Sequence, residues 1–201
     1  MSTSGVTEYT KTIQRTWTRK RLHISIDLAG EQGNIINTYT TSDRIDGTAA
    51  IAADEDVDFD VTFEGIYRVY NERTGPPHTD RRVGASKTFL KLRHPLSTNA
   101  YPTSRRFQKG EKFIFPFSFV VPDHMDAPFC MFNSDETHIQ LPPTLKGGKL
   151  TGADGSLSDD FTPTVCEVVY AIQVRVVQTT TNRTLKTQSQ HVRLIPPTPS
   201  T

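Results

Sequence analysis

The sequence predicts an all-β protein, an antiparallel two-sheet β-sandwich. Three observations carry this. Apolar residues alternate with polar ones in several long runs, the spacing that puts one strand face in a core and the other in solvent. Almost no 3.6-residue periodicity occurs. Turn-forming residues separate the runs at short intervals, the pattern of sheets packed face to face.

In chain order, Leu22, Ile24, Ile26 and Leu28 form the first run, with Gly30 and Gly33-Asn34 marking a turn. Short strands are expected over 35–39 and 45–51, the latter with Asp46-Gly47 near its start. Val57, Phe59, Val61, Phe63, Tyr67 and Val69 then share one parity, and Gly65 within the row marks a bulge or a close backbone approach. Residues 71–84 are polar, contain Gly75-Pro76-Pro77, and are expected to be an exposed loop. Thr88, Leu90 and Leu92 make the next strand, and 95–106 a connection. Phe113, Phe115, Phe117, Phe119 and Val121 form the clearest face, in which Pro116 places the strand at an edge or a bulge. Residues 123–163 are expected to be one long irregular loop. Val168, Tyr170, Ile172, Val174 and Val176 follow, opposite Glu167, Gln173 and Arg175. A strand over 165–178 would span roughly 45 Å, which suits an elongated sandwich better than a small barrel. Residues 179–182 read as a turn, and Val192 and Leu194 as the last strand. This divides the chain into a tail over 1–20, a sandwich over 21–195, and the start of a linker or C-terminal tail over 196–201.

Composition narrows the function classes. The 201 residues are 35% hydrophobic and 22% charged, a polar but foldable mixture. Lys and Arg (23) nearly balance Asp and Glu (22), which argues against a general nucleic-acid binder. No apolar run is long enough for a transmembrane helix, and the start of the chain lacks a signal-peptide core, so a cytoplasmic location is expected. Cys130 and Cys166 are then expected to be thiols rather than a disulfide.

The chemistry-bearing patterns are sparse. Asp54, Asp56, Asp58 and Asp60 share a parity with Glu55 beside them, but Phe59 stands where a calcium loop needs its glycine. They read as the solvent face of a strand, where charge also discourages edge pairing. The histidines are scattered, and Cys130 with His138 has no zinc spacing. Gly147-Gly148-Lys149 lacks the rest of a phosphate loop and reads as a loop tip. No nucleophile elbow occurs and no acid–base pair can be placed, so no catalytic residue, metal or cofactor is assigned and no enzyme is expected. Arg19-Lys20-Arg21, with Arg15 nearby, precedes the first strand and is the candidate cargo- or phosphate-binding site. The same residues also read as a solvated strand entry. Arg73, Arg81 and Arg82 form a second basic group that could face acidic lipid or a partner, or simply water.

Several segments in order resemble the N-terminal domain of arrestins, especially the fungal α-arrestins. They are residues 39–51, with Tyr39, a polar turn and Asp46-Gly47; residues 57–65, ending at Gly65; and Gly110 followed by Phe115-Pro116-Phe117-Ser118-Phe119 and Pro122. Residues 168–176 resemble the strand after the family's long loop, and 138–145, with Leu141-Pro142-Pro143, a fungal subgroup. The resemblance spans about 22–195. It implies a non-enzymatic trafficking adaptor that binds cytoplasmic tails of membrane cargo and links them to a HECT-type ubiquitin ligase for endocytosis. It also implies that a basic pair near the first strand holds cargo phosphates. The chain departs from the family in having room for one of its two domains. It also has no Pro-Pro-x-Tyr ligase motif, since its proline pairs continue as Pro77-His78, Pro143-Thr144 and Pro197-Thr198. An excised N-terminal domain is therefore expected, with ligase docking supplied by a missing C-terminal region. An unrelated immunoglobulin-like sandwich, a ubiquitin-independent coat-like sorting scaffold, and a lipid- or calcium-binding accessory sandwich remain alternatives.

Overall fold

The computed structural model of the protein describes residues 22–30, 36–53, 57–70, 84–95, 112–125, 139–145, 149–151, 157–159 and 166–196. The strands are β1 (His23–Leu28), β2 (Thr38–Tyr39), β3 (Arg44–Ala52), β4 (Val57–Tyr70) and β5 (Gly84–Arg93). They continue as β6 (Phe113–Val120), β7 (Lys149–Thr151), β8 (Leu157–Asp159), β9 (Cys166–Gln178) and β10 (Thr184–Leu194). A three-stranded sheet has the order β1-β3-β6 and a five-stranded sheet the order β2-β10-β9-β4-β5, while β7 and β8 form a separate hairpin. All pairs are antiparallel except β2 with β10. The two main sheets pack face to face, so the predicted sandwich is the observed architecture.

The alternating runs build its core. Val57, Phe59, Val61 and Phe63 of β4 lie beside Tyr170, Ile172, Val174 and Val176 of β9, all buried. Facing them are Phe115, Phe117 and Phe119 of β6 and Ile24, Ile26 and Leu28 of β1. Rings meet across the sandwich, Phe59 with Phe115 at 4.3 Å and Phe63 with Phe119 at 6.1 Å between centroids. Each fully buried Phe of this kind contributes about 1.5–3 kcal/mol of transfer free energy. The phenylalanine row of β6 is thus core.

Gly65 lies at a bulge, the first of its two expected roles, and what approaches it closely is side-chain rings and not another backbone. The register of β4 against β5 shifts beside it, so that Phe89 is an extra residue in β5. Phe89 and Leu90 are both buried, as expected when two side chains of a bulge share one face. A Cβ on Gly65 would lie 2.8 Å from the Phe89 ring and 3.0 Å from that of Tyr170. The missing side chain makes room for those two rings, which meet edge to face at 5.5 Å.

Four expectations need correction. First, the core row of β4 ends at Gly65: Tyr67 and Val69 are 38% and 49% exposed, because β4 and β5 run on past the cover of the smaller sheet. Second, the carboxylates of β4 are not a plain solvent face. Asp58 is exposed, but Asp60 and Glu64 are buried under cross-strand cations, and β4 is an interior strand with no edge to protect. Third, the connection over 123–163 is not one irregular loop. It contains the β7–β8 hairpin and a segment, 141–145, tied to the sandwich. There Leu141 is buried, the Tyr170 hydroxyl donates to the Pro142 carbonyl at 2.7 Å, and Leu145 bridges to Val168. Fourth, of the short strand expected over 35–39 the described residues keep only β2, with 36–37 outside it; the strand expected over 45–51 is present as β3, one residue longer at each end, and β10 holds Val192 and Leu194 as expected. The turn before β10 is as expected, with Asn182 at a φ of 52°.

Candidate functional site

A sandwich that is not a closed barrel exposes strand edges, and each edge is a template for another chain. Here the edges are treated unequally. In β6, Val121 N–H donates to Asp43 O at 2.9 Å, which sets the alternation of the β3 ladder. Residues 113, 115, 117 and 119 turn their backbone groups to β3, and Ile114, Pro116, Ser118 and Val120 turn theirs outward. The ladder with β3 is unbroken and, among the described residues, no strand pairs with β6 on its other side, so Pro116 marks an edge and not a bulge, with its missing N–H on that outer side. The β5 edge is interrupted by the bulge at Phe89 and carries exposed Lys87, Lys91 and Arg93. The β10 edge has a register shift between Thr184 and Lys186 and is covered at its other end by β2.

The edge of β1 has no proline, bulge or lysine. Ala29 N–H donates to Asp46 O at 2.8 Å, so residues 23, 25 and 27 bond to β3 and Ile24, Ile26 and Leu28 turn their N–H and C=O outward. Among the described residues no strand pairs with β1 on that side. These side chains are in the core, so the edge offers backbone groups alone. Its two ends are bridged. Lys186 Nζ donates to Leu22 O at 3.5 Å, and Asn37 Nδ2 donates to Ala29 O at 3.2 Å.

The register of β10 on β9 places Lys186, Gln188 and Gln190 on the same face as Val192, the core face, opposite Val176, Val174 and Ile172. Lys186 and Gln190 are half-buried and Gln188 is exposed. Polar residues on a core-facing row mark the rim where the two sheets part. Sequence reading missed this rim, although its signal was present: positions 186, 188 and 190 continue the parity of Val192 and Leu194 with polar residues.

The predicted site, Arg19, Lys20 and Arg21 with Arg15, lies outside the described residues. So do Arg73, Arg81 and Arg82, the Gly33-Asn34 turn, Asp54, Glu55 and Asp56, Cys130, His78, His138, and Gly147-Gly148. The triplet precedes Leu22 in sequence, and Lys186 reaches the Leu22 carbonyl.

The outer face of the larger sheet holds the densest charge. Arg175 grips Asp60 through two bonds, Nη2 to Oδ2 at 2.6 Å and Nε to Oδ1 at 3.3 Å, while Arg93 Nη2 stands 3.7 Å from the same carboxylate. The Asp60 hydrogen bond, together with its charge, raises the Arg175 pKa. Lys91 pairs with Glu64 at 2.7 Å, and Glu64 also accepts from the Thr62 hydroxyl. On the smaller sheet, a hydrogen bond from Ser118 and the neighbouring Arg44 hold the Asp46 carboxyl below the ordinary range. Burial alone pushes the Tyr170 hydroxyl far above the usual phenol range, so it acts as a donor to Pro142 and not as an acid. Cys166 is a free, half-buried thiol. Among the described residues no group of three or more His, Cys, Asp or Glu side chains is placed to hold a metal ion. No helix among them is long and apolar enough to cross a membrane.

No family model matches the chain, and no curated protein matches it in sequence. Among solved structures the chain is similar to Spo0M, a sporulation control protein from Bacillus subtilis, at 13% identity and a TM-score of 0.45. The match covers 86% of this chain and 49% of Spo0M, so the chain spans about half the length of that protein. It is also similar to parts of β-glucosidases from Erythrobacter marinus and Listeria innocua, with TM-scores of 0.30 and 0.27. Each glucosidase match has 10% identity and covers 88% of this chain but 16% of the enzyme. Likenesses this loose carry no function across.

Proposed function

We propose that this chain is a non-enzymatic adaptor domain of the arrestin type, which captures an extended segment of a partner by adding it as a strand to the open edge of β1. The observation that carries the reading is the contrast among edges. Proline, bulges, lysines or a covering strand interrupt the others, and β1 alone, among the described residues, presents an unbroken outward row. A strand added there hydrogen-bonds to Ile24, Ile26 and Leu28 and faces the amides of Gln188 and Gln190. Lys186 at the end of the rim, with the Arg19, Lys20 and Arg21 triplet directly preceding in sequence the Leu22 whose carbonyl it reaches, favours an acidic or phosphorylated segment. The family resemblance supplies the finer reading. The segments are cytoplasmic tails of membrane cargo, the protein works in the cytoplasm or at the membrane surface, and a HECT-type ubiquitin ligase is engaged through regions outside this chain.

The test is NMR titration of the labelled domain with matched phosphorylated and unphosphorylated acidic peptides at low and moderate salt. Phosphate-dependent shifts at the Ile24, Ile26 and Leu28 amides are expected, and Lys186→Glu should weaken binding by about tenfold, the scale of one charge-assisted bond. Binding that leaves those amides unmoved would overturn the edge assignment. No binding to any peptide would favour a ubiquitin-independent, coat-like scaffold.

A further inference from the structure

We infer that β6 is a self-complementary edge, fitted to pair with a second copy of this chain, and that Pro116 holds it shut. The outward backbone groups of β6 belong to Ile114, Pro116, Ser118 and Val120, as the unbroken ladder to β3 requires. A two-fold axis through Phe117 sets Ile114 against Val120 of the second copy and Pro116 against Ser118 of that copy. All four positions then meet in the hydrogen-bonding register, in which two residues exchange both bonds wherever each carries an N–H. The side chains match as well. Ile114 and Val120 are 62% and 55% exposed, unusual for residues of this type, and the two-fold brings each onto the other as a cross-strand apolar pair. The result would be a continuous six-stranded sheet across two molecules.

Pro116 removes the N–H from the middle of that row and sets its ring against the incoming strand. Shifting the register does not escape it, because every antiparallel alignment that uses the centre of this eight-residue strand meets the proline. Pro116 owes nothing to β3, since its partner Thr48 is bonded on the β1 side. Its effect is therefore directed at other chains and not at the fold. The inference is independent of what binds to β1.

The experiment is sedimentation velocity on the wild-type chain, Pro116→Thr, and Pro116→Thr combined with Val120→Lys. Pro116→Thr is expected to double in mass as concentration rises, over a range where the wild type stays at monomer mass. Adding Val120→Lys should return it to monomer by putting a charge against Ile114 of the second copy. A Pro116→Thr chain that stays monomeric overturns the proposal. So does a dimer indifferent to Val120→Lys, or a wild type that dimerises equally. Failure of Pro116→Thr to fold would also overturn it, because position 116 should owe β3 no hydrogen bond; a thermal melt within a few degrees of wild type is expected.

Discussion

Removing either partner of the Asp60–Arg175 pair should destabilise the fold, but unequally. The Asp60 side chain is 9% exposed, while Arg175 and Arg93 are 46% and 71% exposed. Arg175→Leu strips the two-bond partner from a carboxylate that water barely reaches, leaving Arg93 at 3.7 Å. Breaking a fully buried pair costs about 3–5 kcal/mol, and a charge-assisted bond contributes about 1.5–3 kcal/mol. Because Arg175 itself is half in water, about 2–3 kcal/mol is expected for Arg175→Leu. Asp60→Asn leaves two guanidinium groups that simply rehydrate, and about 1 kcal/mol is expected. Urea denaturation of both single variants and the double variant would give the order and the coupling, and close pairs of this kind couple by about 0.5–3 kcal/mol. Raising salt should narrow the difference only slightly, since screening acts weakly on the buried carboxylate. Equal costs below about 0.5 kcal/mol, or a larger cost for Asp60→Asn, would refute the claim that burial of the carboxylate decides the energetics.

Three further outcomes test the packing and the surface electrostatics. Phe117→Ala should cost about 3–5 kcal/mol by chemical denaturation, as a large core truncation; its ring packs against Phe119, and a Cβ on Gly47 would lie 2.5 Å from it. Gly65→Ala should cost about 1–3 kcal/mol by overpacking against Phe89 and Tyr170, and Gly65→Ala combined with Phe89→Leu should recover part of that loss. Ser118→Ala should raise the acid midpoint of Asp46 toward the ordinary carboxylate value, read by NMR titration of its side chain, because the Ser118 hydrogen bond is the main cause of its depression. The sign follows: a depressed carboxyl stabilises the fold above its unfolded pKa, and that contribution fades as pH falls through the folded value.

Much of the architecture was written locally. The runs of β1, β4, β6 and β9 identify themselves because a strand has a period of two, and burial on one face imposes that period on the residues. Pro116 announced an edge or a bulge because a proline has no hydrogen to give a neighbour, and Gly65 a bulge or a close approach because it breaks an apolar row with no side chain. Those inferences need no partner strand to be known. The β7–β8 hairpin and the anchoring of 141–145 were illegible. Three-residue strands have no period to read, and the Tyr170 hydroxyl that holds Pro142 lies 28 positions away.

The candidate site divides in the same way. The basic triplet at 19–21 and the alternation of β1 could be read directly. Only the tertiary structure decided that β1 is an edge among the described residues and that β4 is interior. Only it turned Lys186, Gln188 and Gln190 toward the rim, and set Arg175 over Asp60 across 115 positions of sequence. Strand order is a long-range property. The sequence determines which face of each strand is apolar, but which strand lies beside which depends on the packing of all of them at once. From that packing come the free edges and the charges buried on an apparently polar face.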